Sequence, residues 1–292
     1  MSAFRELGSV EDTAMDAANA KLSAVQRGYY HDRYIGCFVP QELKQLPPMN
    51  LGYYVRTQAI YVAVKKFHEI HGSNMQVVVL GCGYDTLFWR LRDEKITVKN
   101  WFDLDMQHVV NKKSKVINSN DFEPMDNYHL FYADLSKPEM VKQELNSHGF
   151  EDIPTIFIDE CTLIYVDPVA VDEILKFAAS LKSNAFISYG MVKPDDQFGK
   201  MMVKNFDGFG APLKGIKMYP TVASHKDRCI NAGFKHAKSI DLNQTMRAVI
   251  PRENFMKIMR LEMQDDPDEL AYMLQHYVLA VAGSESEFVS II

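Results

Sequence analysis

Residues 77–89 read Val-Val-Val-Leu-Gly-Cys-Gly-Tyr-Asp-Thr-Leu-Phe-Trp, and this stretch decides the fold. Four apolar, mostly β-branched residues predict a buried strand. Gly81 and Gly83 then let the backbone turn sharply and approach a ligand before a helix begins. Strand, glycine loop and helix in that order form the nucleotide-binding start of a doubly wound α/β sheet. As a dinucleotide fingerprint the stretch is incomplete, because the third glycine of Gly-x-Gly-x-x-Gly is missing and Asp85 stands in the loop. A pyrophosphate needs bare amides at a helix N-terminus, where a carboxylate would repel it. S-adenosylmethionine has no phosphate, and its cationic sulfonium and zwitterionic amino acid suit Asp85 better.

Downstream, apolar runs at 99–104, 130–133, 155–158 and 185–189 alternate with helical stretches, which predicts a parallel sheet with helices on both faces. Two closing strands are expected at 234–240 and 277–281, separated by helical 242–262 and 268–275. Seven strands, the last inserted antiparallel, make an α/β, Rossmann-like class I methyltransferase sheet. Residues 190–220, rich in Met, Gly, Pro and Phe, read as a helical lid over the strand ends.

Ligands of open α/β sheets sit beyond the carboxyl ends of the strands, and here those ends are acidic. The second strand ends Asp103-Leu104-Asp105, and Asp105 lies 24 positions after Gly81 (105 − 81), where an acid binds ribose hydroxyls. Asp103 shares its face but stops short of the sheet edge. The third strand ends at Asp134-Leu135, a carboxylate beside an apolar contact that suits an adenine edge. The fourth ends Asp159-Glu160-Cys161, at the expected switch point. Tyr165 follows on the next loop or helix and points toward the site.

Upstream, Ser9 and Asp12 resemble a capping box before a helix whose Ala14, Ala18, Leu22 and Val25 share a face. That helix carries Lys21. The tract 28–48 is an aromatic-rich loop and short helix ending at Pro47-Pro48, and Asn50 is expected to cap a helix to Ile70 that carries Arg56. Residues 1–72 thus read as a helical cap on one domain spanning 1–292.

The 292 residues carry a formal charge of −6, which gives no general attraction for nucleic acid or anionic membrane. The first twenty residues include Glu6, Glu11, Asp12 and Asp16 with no apolar core, so no signal peptide is expected, and no run reaches membrane-span length. Four cysteines, at 37, 82, 161 and 229, are too scattered for a metal pair or a disulfide framework. A reduced, cytoplasmic protein is expected. His68 and His71 at i and i+3 have no third ligand in sight, so no metal is expected. Cys82 reads as a small residue packed behind a ligand.

Together these residues resemble the leucine carboxyl methyltransferase family. The resemblance runs from Lys21 to about Tyr277. It includes Gly28-Tyr29-Tyr30-His31-Asp32, Gly52-Tyr53 with Arg56, Leu80 to Thr86, Phe88-Trp89-Arg90-Leu91, Asp134-Leu135, Glu160 to Tyr165 and Phe198-Gly199. It implies methyl esterification of the C-terminal leucine of the type 2A protein phosphatase catalytic subunit. S-adenosylmethionine is the donor, leaving S-adenosylhomocysteine, and Lys21, Arg56, Gly81, Asp105, Asp134, Leu135 and Glu160 contact it. Arg56 and Tyr165 are the candidates for holding carboxylates at the reacting centre. A monomer is expected. Two departures stand in the expected lid: Gln197 where the family usually has arginine, and Gly190 in place of a common glutamate. A tRNA-modifying branch carries a long C-terminal repeat domain, for which this chain ends early. A small-molecule O-methyltransferase and a non-catalytic cofactor-binding module are the other readings.

Overall fold

The structure, a computed structural model, describes residues 9–39, 43–120, 122–123 and 125–292; Glu6 and residues 40–42 of the aromatic tract lie outside the described residues. A 3₁₀ turn, Val10–Asp12, leads into α1, Thr13–Gln26, which buries Ala18, Leu22 and Lys21. The expected capping box does not form. The Ser9 hydroxyl reaches the Asp12 carboxylate at 3.4 Å, and Asp12 makes no side-chain cap bond. The short α2, Ile35–Phe38, precedes α3, Pro47–His71, which starts three residues before the expected cap. Proline needs no amide partner in a first turn, so Pro47-Pro48 opens the helix instead of breaking the chain. Asn50 lies inside that turn and donates from Nδ2 to Glu262 Oε2 at 2.9 Å.

Strand and helix then alternate as β1, Gln76–Leu80; α4, Leu87–Asp93; β2, Asn100–Asp105; α5, Gln107–Ser119; β3, Tyr128–Tyr132; α6, Pro138–Ser147; and β4, Thr155–Glu160. A 3₁₀ turn, Leu163–Tyr165, leads to α7, Pro168–Ser180, and β5, Asn184–Met191. Gly190 and Met191 are therefore strand residues, which moves the start of the expected lid to Val192. After α8, Gln197–Gly208, come α9, Val222–Ala232, and β6, His236–Asp241. The expected helix 242–262 is divided at Pro251 into α10, Leu242–Val249, and α11, Arg252–Ile258. The chain closes with α12, Pro267–Leu274; β7, Tyr277–Gly283; and α13, Ser286–Val289.

The sheet order is β3-β2-β1-β4-β5-β7-β6, with β7 antiparallel to both neighbours and the first five strands parallel. Consecutive residues of β1 feed opposite apolar layers: Val77 and Val79 join the cluster with α1, α3 and α4, whereas Val78 and Leu80 join the one with α6 and α7. A strand covered on both faces has no polar side to show, which is why 77–80 reads as an unbroken apolar run. The chain reverses its direction of winding between β1 and β4, and a crevice opens there at the carboxyl ends of the strands.

Candidate active site

The glycine loop sits at that crevice. Gly81 and Gly83 have φ of +74° and +49°, the left-handed region. A Cβ on Gly81 would stand 2.1 Å from Thr162 Cγ2, so the loop can lie against the β4 exit only with glycine there. The amides of Gly81 and Cys82 bond the Leu104 carbonyl at 2.8 and 2.9 Å, tying the loop to β2. Cys82 is buried beneath it.

Asp105 ends β2 with each carboxylate oxygen engaged: Oδ2 accepts from the Gly83 amide and Oδ1 from the Met106 amide, both at 2.7 Å. Burial nevertheless outweighs the two amides and pushes its carboxyl up to about 6. Asp103, two residues earlier, is absorbed into the core. It accepts from Lys113 at 2.7 Å, Tyr128 at 2.6 Å and Trp101 at 2.8 Å.

Four charged side chains from distant parts of the chain close over the loop. Lys21 of α1 donates to Asp85 Oδ2 at 2.7 Å and to Glu160 Oε2 at 2.9 Å. Arg56 of α3 donates from Nε to Glu160 Oε1 at 2.6 Å and from Nη2 to the Glu160 carbonyl at 3.1 Å. All four side chains are at most 15% exposed. Burial alone would lower the Lys21 ammonium and raise the Asp85 carboxyl, but the opposite charge of the partner wins in each case. Two cations face two anions, so the cluster carries no net charge. Lys21 uses two of its three donors and Arg56 two of the guanidinium's five, which leaves donors for an incoming carboxylate.

Aromatic rings build the other wall. The Arg56 guanidinium lies 5.1 Å from the Tyr53 ring and 5.0 Å from that of Tyr189, and Tyr189 stacks on Tyr277 at 5.7 Å. Tyr165 ends the 3₁₀ turn after β4, is buried, and packs on Phe206 of α8. Burial raises its phenol, with Cys161, Tyr53, Arg56 and Tyr277 as its electrostatic neighbours.

Of the site residues expected from sequence, Lys21, Arg56 and Glu160 make one ion cluster, with Gly81 and Asp105 bordering the same loop. Asp134 does not join the cluster: its carboxylate accepts from the Ser136 amide and hydroxyl at 3.0 and 2.6 Å and pairs with Lys137 at 3.1 Å. Leu135 is buried in the apolar layer shared with α6 and α7. The sequence reading gave no site role to Lys113 or to the tyrosines 53, 189 and 277. Tyr189 was within reach of the strand-end rule, since it pairs with Glu160 in register. No group able to hold a metal ion occurs among the described residues.

Sheet order, glycine loop and acidic strand ends define a Rossmann-like methyltransferase fold. A putative methyltransferase from Thermobifida fusca superposes with a TM-score of 0.58 at 13% identity, over 91% of this chain and 93% of that one. The leucine carboxyl methyltransferase family pattern matches residues 10–179. The chain belongs to that family. It is 33% identical to leucine carboxyl methyltransferase 1 of Caenorhabditis elegans, over 94% of this chain and 91% of the relative, and 31% identical to the Bos taurus protein of the same name, with the same coverage. It is also 27% identical to the human tRNA wybutosine-synthesizing protein 4, covering 96% of this chain but 44% of that protein.

Proposed function

We propose that the protein methylates the C-terminal leucine α-carboxylate of the type 2A protein phosphatase catalytic subunit, using S-adenosylmethionine and leaving S-adenosylhomocysteine and a methyl ester. The neutral Lys21–Asp85–Glu160–Arg56 cluster beside the glycine loop carries this reading. The donor set fits the cofactor. Asp105, half-buried beside the loop, suits the ribose hydroxyls; the spare donors of Lys21 and Arg56 suit an amino-acid carboxylate; and an uncharged cluster does not repel a sulfonium. Asp134 and Leu135 stand at the end of the third strand, where the adenine edge is expected.

The cofactor supplies an electrophilic methyl group. A C-terminal carboxyl has an ordinary pKa near 3.5, so at neutral pH it is already the nucleophile and needs no general base. The task of the chain's residues is then to orient and desolvate. Arg56, held by Glu160 and flanked by Tyr53 and Tyr189, would hold the carboxylate of the cofactor or of the acceptor, with Tyr165 as a neighbour. We infer that the N-terminal helices and residues 192–221 enclose the acceptor, within a single unit spanning 1–292. No described helix is long and apolar enough to cross a membrane, and the four cysteines are free; we place the protein in the cytoplasm as a monomer.

Incubation of the phosphatase catalytic subunit with methyl-labelled cofactor tests the reading. Label released from the phosphatase band as methanol by mild base supports it, and label on a phosphatase lacking its last leucine refutes it. A small-molecule O-methyltransferase or a cofactor-binding module would leave both bands unlabelled.

A further inference from the structure

Residues 192–221 leave the sheet beside His276, the residue before β7. The Val192 amide donates to the His276 carbonyl at 2.8 Å, and the Lys193 amide to the Pro220 carbonyl at 2.8 Å. Lys193 has φ of +59°, and a Cβ on Gly199 would fall 1.8 Å from its carbonyl oxygen. The turn 193–199 is therefore a tightly built hinge. Asp196 caps α8 through the Gly199 amide at 2.8 Å.

The His276 side chain is fully buried at this hinge and meets an acceptor on each side. Nδ1 lies 2.8 Å from the Tyr272 carbonyl, and Nε2 lies 2.9 and 2.8 Å from the two oxygens of Asp196. A neutral imidazole has one N–H and would turn a lone pair toward one of these acceptors; the imidazolium donates to both. The Phe198 ring packs on it at 4.3 Å. The next residue is Tyr277, whose ring stacks on Tyr189, which in turn faces Arg56.

We propose that His276 and Asp196 form a clasp that holds the hinge of residues 192–221 shut and positions Tyr277 and Tyr189 against Arg56 for the acceptor carboxylate. The inference rests on the function proposed above, and it makes His276 a positioning residue. Asp196 faces it from the start of α8 and Tyr272 from α12, while Lys193 bonds the neighbouring Gln275. Burial alone would raise the Asp196 carboxyl, but the Gly199 amide and His276 hold it below its usual range, so the acid side of the clasp persists on mild acidification.

His276→Gln and Asp196→Asn test this. Asparagine still caps α8 but carries no charge, so the second variant reports even where the first fails to fold. Both should raise the KM for the phosphatase about tenfold, the loss expected of a hydrogen bond to a charged group, while leaving S-adenosylhomocysteine affinity unchanged by calorimetric titration. Amide exchange across 192–221 should be faster in both variants than in the native protein. Native KM and native exchange in Asp196→Asn would overturn the clasp. If instead the native protein fails to methylate the phosphatase while exchange behaves as described, the proposed substrate falls and the clasp stands.

Discussion

Asp105 sets burial against two amide donors beside the glycine loop. Its carboxyl sits at about 6 rather than near 3.8 because burial outweighs two amide donors. A pKa raised on folding means the folded chain holds the proton more tightly, so Asp105 adds stability below about pH 4 that is lost as pH rises through 6. Under the function proposed above, ribose hydroxyls would bond best to the ionised carboxylate. Affinity for S-adenosylhomocysteine should therefore fall as pH drops below about 6. Asp105→Asn should weaken binding by about 1–3 kcal/mol at pH 7.5 and flatten that pH dependence; calorimetric titration at several pH values checks both. Arg56 separates two roles. Arg56→Lys keeps the charge but loses the fork on Glu160, so a cofactor role predicts weaker binding of S-adenosylhomocysteine. Unchanged affinity with a lower kcat/KM for the phosphatase would move Arg56 to the acceptor side. Asp105 and Glu160 were legible because a strand-end acid in this topology has a place to point. The pairing of Lys21 with Glu160, 139 residues away, was not, because spacing says nothing of contacts between distant segments.

At the scale of elements, strands were read better than helix starts. The β1 to β5 runs stand out because both faces are buried, whereas Pro47-Pro48 can open or end a helix and Asn50 can cap one or sit inside it. The lid boundary was misplaced because a Gly-Met pair looks like loop until Gly190 and Met191 are seen paired with Val278 and Tyr277 of β7. What fixes the β1 and β2 ends is sharper than propensity. Gly81→Ala places a methyl group against Thr162 at positive φ, and it should cost about 2–4 kcal/mol, seen as a lower midpoint in urea unfolding. The β2–α5 unit depends on Lys113, whose fully buried ammonium pairs with Asp103. Lys113→Met would strand that carboxylate beside Trp101 and Tyr128. The expected loss is about 3–5 kcal/mol, read as a lower midpoint in urea unfolding, and a loss within 0.5 kcal/mol would show that the pair contributes little.

The whole molecule is joined through its site. The four ion-cluster residues come from α1, α3, the loop before α4 and the end of β4, and one apolar cluster runs from Ala18 and Leu22 through Val55 and Ala59 to Val77, Ile158 and Val281. If the N-terminal helices were a separate cap, heating would melt them before the sheet. Their detachment would strip Lys21 and Arg56 from Asp85 and Glu160 and expose the apolar face of Val77, Val79 and Ile158 to water, which is costly enough to pull the crevice apart with them. Thermal unfolding should therefore be one transition, with calorimetric and van't Hoff enthalpies in agreement. S-adenosylhomocysteine at a hundred times its dissociation constant should raise the stability of the whole by about 2.7 kcal/mol and slow amide exchange in α1 and α3 together with β1 and β4. An earlier transition that the ligand leaves unmoved, with exchange in α1 unchanged, would separate the N-terminal helices from the binding unit.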